Sequence, residues 1–357
     1  MENKVINQVN MRETNLNEVL KMIREHGSLT RRKLQELTGL SWGGTSQIVT
    51  RLLNQNLIIE EKDTSQTAGR KPTCLSINGQ KNLILGIDIN SSGLTAVVQN
   101  LKNEILDQVE GTPDCRNQES LLNSIFVLLD PLYEKYRHSV ILACGISMQS
   151  AVDEKRGISL YLKECPDWKE VPLGEIFAER YGVPAYLAHD PDCLVASNVS
   201  LFGEDVILFR MDYSMGMSVF KDGAFIKAPG MLEIGNTLIH TQDDEIKKLE
   251  ESVTITAMEQ KAGCDIHELL KIPQGQKIMK EAASYMAVSA ANVSILFDIP
   301  TILICGKLTE CVPEFFEELD KGIKKYLTDD TRIFQYDEKK AAAGAAWMAA
   351  EKWINGI

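Results

Sequence analysis

The 357-residue chain has eight cysteines but no CxxC pair and no repeated cysteine spacing. That absence excludes a zinc knuckle and the disulfide framework of a small secreted domain. Cys144 in VILACGI and Cys305 in TILICG sit inside apolar runs, where a thiol acts as a small hydrophobe. No apolar run approaches the length of a membrane span, and the first twelve residues contain no apolar signal region. The expectation is a cytoplasmic protein with reduced thiols and no membrane partner. The sequons at Asn90, Asn198 and Asn292 carry no meaning in that compartment. Basic charge is also scarce overall, the net being −12, but it is unevenly spread. Residues 1–80 hold 11 Lys/Arg against 8 Asp/Glu, a net of +3, and the remainder carries −15. A mildly basic head on an acidic body suits a nucleic-acid contact confined to the head, although an acidic average is also common in cytosolic enzymes.

What is present begins at residues 28–57, SLTRRKLQELTGLSWGGTSQIVTRLLNQNL. Thr30 is placed to cap a first short helix with Leu34 and Leu37 on its apolar face. Gly39 supplies a turn, and Ser41 caps a second helix with Ile48, Val49, Leu52 and Leu53 inward. The outward face predicted for that second helix holds Gly43, Gly44, Thr45, Ser46, Gln47, Thr50 and Arg51. These small, hydroxylated, amide and basic groups suit a recognition helix in a DNA major groove. The plainer alternative is a helical hairpin with a solvated polar face.

Downstream, LIIEE and TCLSIN read as two strands around a polar loop carrying Gly69, Arg70, Lys71 and Pro72. Such a loop suits a wing, with Arg70 and Lys71 at phosphates or in the minor groove; an ordinary linker with two solvated cations is the alternative. Leu16, Val19, Leu20 and Ile23 keep a helical period from about Asn15 to His26, completing a three-helix winged helix-turn-helix over residues 11–78. From residue 83 onward strands alternate with amphipathic helices, and the pattern restarts at VILFRMD. That implies two similar α/β halves with a cleft between them.

The whole chain resembles the ROK family of repressors, open reading frames and sugar kinases, in particular its winged-helix repressors of the xylose-repressor type. The resemblance covers residues 12–355. It rests on the head, on Gly69-Arg70-Lys71-Pro72 and on LGIDINSSG at 85–93. It continues through PDWKEVPLGEIFAERYGVPAYLAHDPD at 166–192, KDGAFIKAPGMLEIGN at 221–236 and DIPTILICGK at 298–307. It implies an N-terminal winged helix-turn-helix followed by a two-lobed α/β fold of the actin-like ATPase kind. The boundaries expected are residues 1–80 for the head, 81–200 for the first lobe and 201–357 for the second, with a C-terminal helix able to return to the first lobe.

In the family's sugar kinases an Asn-Asp pair at a strand end contacts sugar, and the Asp serves as base. Asp190 stands at that position, with His189 in place of the Asn. Glu233 and Asn236 match the Glu and His of the family's GEIGH, and Glu250 matches the Glu of CLE. The resemblance therefore implies a carbohydrate site formed by Asp190, His189, Glu233, Asn236 and Glu250 in the interlobe cleft, with Asp190 a vestigial base. Each acid alone would otherwise read as a surface charge. Residues 236–250 contain no cysteine, so the family's zinc loop is lost and no metal is expected. The phosphate loops are eroded as well. The first keeps Asp88 but reads Asn90-Ser91-Ser92-Gly93, and the second carries Tyr213 and Met215, expected to put bulk where phosphate oxygens would sit. Phosphoryl transfer depends on such cradles, so neither a nucleotide cofactor nor catalysis is expected.

These readings converge on a sugar-responsive, DNA-binding transcriptional repressor. Its expected partners are operator DNA, a sugar or sugar derivative, and a second copy of the chain, as a homodimer or higher homo-oligomer. Ligand binding is expected to change the lobe angle and hence the spacing of two heads, which form a unit separate from the sensor. The rivals are a ROK sugar kinase using ATP with Asp190 as base, and a regulator controlled by a protein partner.

Overall fold

A computed structural model describes residues 8–62, 72–90, 93–162, 165–197, 205–227, 232–336 and 340–356. The head opens with α1 (Gln8–His26), which starts earlier than the apolar period alone indicates. Strand β1 (Ser28–Thr30) leads into α2 (Arg31–Thr38), and α3 (Trp42–Asn54) follows. The punctuation is local chemistry. Thr30 Oγ1 accepts the Lys33 N–H at 3.1 Å, and Ser41 Oγ accepts that of Gly44 at 3.2 Å. Gly39, at φ 67°, closes α2 in the left-handed conformation. Strands β2 (Ile58–Lys62) and β3 (Thr73–Ile77) pair antiparallel, with β1 on the other side of β3. The tip between β2 and β3, including Arg70 and Lys71, lies outside the described residues. Leu34 is fully buried, whereas Leu37 is exposed, so α2 presents only one of its two expected apolar residues to the core.

The body repeats one topology. In the first half, β4 (Asn82–Asn90), β5 (Gly93–Asn100) and β6 (Ile105–Gly111) form an antiparallel meander. Beside β4 runs β7 (Val140–Met148), and beside β7 the strand Ala185–His189, both parallel to β4. In the second half, Val206–Met211, Met215–Lys221 and Ala224–Phe225 make the meander. Thr301–Cys305 and Arg332–Gln335 add the parallel pair. Two five-stranded mixed sheets of the same order are what the restart of the sequence pattern implied. One face of the first sheet packs on α4 (Gln118–Lys135) and the helix Leu173–Tyr181, around Phe177, Trp168 and Leu129.

The chain divides into two compact units, Met1–Asp190 with Ala342–Ile357, and Pro191–Ala341. Compactness therefore places its break at Asp190–Pro191 rather than at residue 200, and the helix Ala341–Asn355 packs within the first unit. Gly86 and Gly145 make that packing possible: a Cβ at either would come within 2.1 or 2.0 Å of the carbonyl oxygen of Ala342 or Ala345. Only glycine lets the helix lie this close to the sheet.

The head is not cored separately, contrary to the expectation. Leu16, Val19, Leu20, Leu34 and Leu52 share one apolar cluster with Ile84, Val97 and Leu142 of the first sheet, and with Ala346, Ala349 and Ile354 of the C-terminal helix. Arg24 of α1 pins this junction. Its side chain is 5% exposed, ion-paired with Glu351, and donates to the Leu101 carbonyl at 3.0 Å and to Asn103 Oδ1 at 2.6 Å. Burial pulls its pKa below the usual arginine value, and Glu351 opposes that shift.

Candidate DNA interface and carbohydrate site

On α3 the buried residues Thr45, Val49 and Leu52 lie on one side, and Gln47, Thr50 and Arg51 stand exposed on the other. Amide, hydroxyl and guanidinium groups on one exposed stripe can read base edges and neutralise phosphates. Thr45 is corrected: it is 1% exposed, and its hydroxyl donates to the Ser41 carbonyl at 3.1 Å. A threonine one turn into a helix satisfies itself locally, so its polarity misled the outward assignment. Ser46 is half-buried, with Arg31 Nη1 3.4 Å from its Oγ. Arg31 also reaches Glu60 on β2 at 2.7 Å, linking α2, the recognition helix and the wing strand. Neither Arg31 nor the exposed Trp42 belongs to the set read from sequence: Arg31 lies on α2, outside the recognition helix, and Trp42 is apolar where hydrogen-bonding types were sought.

His189 ends the last parallel strand of the first sheet, and Asp190 opens the following helix, Asp190–Ala196. Asp190 is 4% exposed, with His189 Nε2 3.5 Å from its Oδ1. A carboxylate buried at a strand end is a fixed acceptor of hydrogen bonds from hydroxyl groups. Two residues on, Asp192 accepts from Ser218 Oγ at 2.5 Å and pairs with Lys227.

In the second unit Glu233 is exposed and leads into a single 3-10 turn, Ile234–Asn236. The hairpin of Leu238–His240 and Ile246–Lys248 then folds the chain back, and the Leu249 N–H bonds the Thr237 carbonyl at 2.8 Å. This return brings Glu250 beside Gly235: a Cβ placed on that glycine would lie 3.3 Å from Glu250 Oε2. Lys248 Nζ donates to Asn236 Oδ1 at 2.7 Å and lies 4.0 Å from Glu250. The structure thus brings Asn236 and Glu250 together around Lys248, an unforeseen neighbour, while Glu233 touches this group only through its carbonyl, which accepts the Asn236 N–H at 3.1 Å. The hairpin occupies the segment expected to lack a zinc loop, and among the described residues no His/Cys/Asp/Glu group is placed to hold a metal. A separate polar cavity of about 340 Å³, lined in part by Lys261, Glu281 and Tyr285, contains none of these residues.

The segments that the resemblance aligns with phosphate loops hold their carboxylates in internal contacts. Asp88 accepts from Ser147 Oγ at 2.6 Å and from Asn90 Nδ2 at 2.7 Å. Asp212 pairs with Arg210 at 2.8 Å and accepts the Lys307 N–H at 3.1 Å. Tyr213 projects outward, 43% exposed, with Lys307 Nζ 5.3 Å from its ring centre. Met215 instead turns into the core of the second unit, so its bulk fills that core and not a phosphate position. Of the two, only Tyr213 is exposed.

Residues 12–59 match a winged helix-turn-helix DNA-binding profile. Among curated relatives, the xylose repressor of Caldicellulosiruptor bescii is 25% identical over 63% of this chain. The DNA-binding transcriptional repressor Mlc of Escherichia coli is 24% identical over 64%. The match spans 59% of the length of each of these two relatives. The Escherichia coli dual regulator NagC is 22% identical over 95% of this chain and 93% of its own. A solved ROK family transcriptional regulator, a homologue of Escherichia coli Mlc, superposes with a TM-score of 0.81 at 18% identity, covering 97% of both chains. A ROK hexokinase from Thermus thermophilus superposes at 0.66 and 19% identity over 75% of this chain and 97% of its own. The two mixed sheets, the winged head and a ROK family profile matched over residues 84–352 agree: this protein belongs to the ROK family.

Proposed function

We propose that the protein is a carbohydrate-responsive transcriptional repressor of the cytoplasm that binds its sugar without phosphorylating it. The observation that carries this reading is the exposed stripe of Gln47, Thr50 and Arg51 on a capped recognition helix, joined to a ROK body. Arg51 and, in the wing, Arg70 and Lys71 are assigned to phosphates or groove edges, and Ser46, Gln47 and Thr50 to bases. The repressors named among the relatives support the same reading. Two copies of the chain engage half-sites about 34 Å apart, or a multiple of that, on a pseudo-palindromic operator.

The carboxylates of Asp190, Glu233 and Glu250 are assigned to sugar hydroxyls, with His189 and Asn236 adding neutral contacts. Charge-assisted hydrogen bonds of this kind are worth about 1.5–3 kcal/mol each. Tyr213 beside Lys307, and the Arg210–Asp212 pair, argue against a phosphate cradle and hence against ATP-dependent phosphorylation. A coupling of about 1–3 kcal/mol between sugar and operator would change DNA affinity about 5- to 150-fold.

The test is a mobility shift on duplexes selected from a random pool, run with a panel of sugars with and without ATP. Wild type should lose or gain affinity with one sugar irrespective of ATP. Asp190→Asn, which keeps shape and removes charge, should bind the duplex but ignore the sugar. A wild-type response at unchanged sugar concentration in Asp190→Asn, or ATP-dependent product formation, would overturn the assignment.

A further inference from the structure

We propose that Trp42 is a DNA-contacting, specificity-determining residue, its indole meeting the C5-methyl of a thymine at the edge of the major groove; this rests on the DNA-binding reading above. Trp42 is the first residue of α3, directly after the cap Ser41. It is 56% exposed, a large share for a tryptophan, while Trp168 of the same chain is 1% exposed. A single exposed apolar side chain is ordinary on a protein surface; what sets this indole apart is its place at the leading end of the recognition helix.

Its position says which partner. Helical side chains lean toward the N-terminus of their helix, so Trp42, with no preceding turn to cover it, projects past the leading end of α3. Recognition helices enter the groove with their N-terminal residues foremost. Trp42 also stands one turn before Ser46, the half-buried hydroxyl beside Arg31, and two turns before exposed Thr50, on the row of α3 that borders the exposed stripe on the side of buried Thr45 and Val49. The next residue, Gly43, has no atom within 4 Å of the place a Cβ would occupy, leaving the helix edge thin where bases would approach. An indole has an apolar face and one N–H donor and no acceptor. In the major groove the matching apolar feature is the thymine methyl, which distinguishes T·A from the other pairs.

The experiment uses the full chain and duplexes that wild type selects from a random pool. Affinities of wild type, Trp42→Ala, Trp42→Phe and Gln47→Ala are measured on the best duplex. They are then measured on versions in which each thymine in turn is replaced by deoxyuridine, which lacks only the methyl. Trp42→Ala should bind about 10-fold more weakly with an unchanged melting temperature, and Trp42→Phe should stay closer to wild type. One deoxyuridine substitution should weaken wild type and have no further effect on Trp42→Ala, the signature of a shared contact. The proposal is overturned if Trp42→Ala binds like wild type, or if every deoxyuridine penalty is equal in both proteins. A loss in Gln47→Ala alongside an unaffected Trp42→Ala would leave the recognition helix standing and remove Trp42 alone. Failure of wild type to select any duplex would remove both.

Discussion

Replacing Arg24 tests whether the DNA-binding head and the first α/β unit behave as one body. Its guanidinium is 5% exposed and makes three attachments, to Glu351, to the Leu101 carbonyl and to Asn103 Oδ1. It also lies 5.8 Å from the ring centre of Trp347 on the same C-terminal helix as Glu351. In Arg24→Ala the Leu101 carbonyl loses its side-chain donor, and Glu351 faces Lys21, 3.7 Å away, in place of the guanidinium. Removing one partner of a buried pair costs about 3–5 kcal/mol. Glu351 keeps 26% of its side chain in solvent, which lowers the expected cost from that range to about 2–4 kcal/mol. Replacing both partners by apolar residues, Arg24→Met with Glu351→Met, should recover most of that loss, because no charge is then stranded. Urea unfolding, compared at the midpoint, reads the stability, and hydrogen exchange of the α1 amides reads whether the head loosens locally. If Arg24→Ala shifts neither by more than about 0.5 kcal/mol, or if the double variant is worse than the single, the junction is held by its apolar cluster alone and the reasoning fails.

Gln47→Ala should leave stability unchanged yet alter base preference by about 1–3 kcal/mol at one position, whereas Thr45→Ala should lower head stability by about 1 kcal/mol with no base-specific effect; sequence selection and thermal melting separate the two. Gly145→Ala should destabilise the first unit by about 1–3 kcal/mol or more, because its Cβ would meet the Ala345 carbonyl oxygen at 2.0 Å; an unchanged urea midpoint would contradict that packing. Burial pushes the Glu281 carboxyl up, but hydrogen bonds from Lys261 at 2.9 Å and Tyr285 at 2.8 Å pull it down further, to a net value below 4.5. A pKa depressed in the folded state gives stability that is present above 4.5 and lost as pH falls through the folded value. The acid arm of a stability profile should therefore be less steep in Glu281→Gln than in wild type.

The head was legible in the sequence because its signals are local. Thr30, Gly39 and Ser41 act within three or four residues, and each caps or turns the helix beside it as its residue type dictates. The repeated body followed from hydrophobic periodicity and from the order of the quoted ROK motifs. Periodicity placed Val49 and Leu52 on the inner side of α3, but residue type put Thr45 outside and Leu37 inside, and both proved wrong once neighbours were present. Thr45 is withdrawn because its side of α3 faces the core, whereas Thr50 makes the same bond to the backbone one turn back and stays exposed; Leu37 keeps 37% of its surface in solvent. Whether Met215 faced a phosphate or a core was likewise a matter of which way one strand's side chains alternate, which its sheet decides.

What the sequence alone determined was the class of each segment, a winged head and two α/β halves, and which residues the family resemblance proposes for the sugar. Only the tertiary structure decided that the head shares its core with the first unit, that Arg24 reaches Glu351 near the far end of the chain, and that the C-terminal helix lies on two glycines of the first sheet. The physical reason is range. Capping, turns and periodicity are written within a few residues, whereas the burial of a charge or the closeness of a helix to a sheet depends on groups far along the chain that no local pattern records.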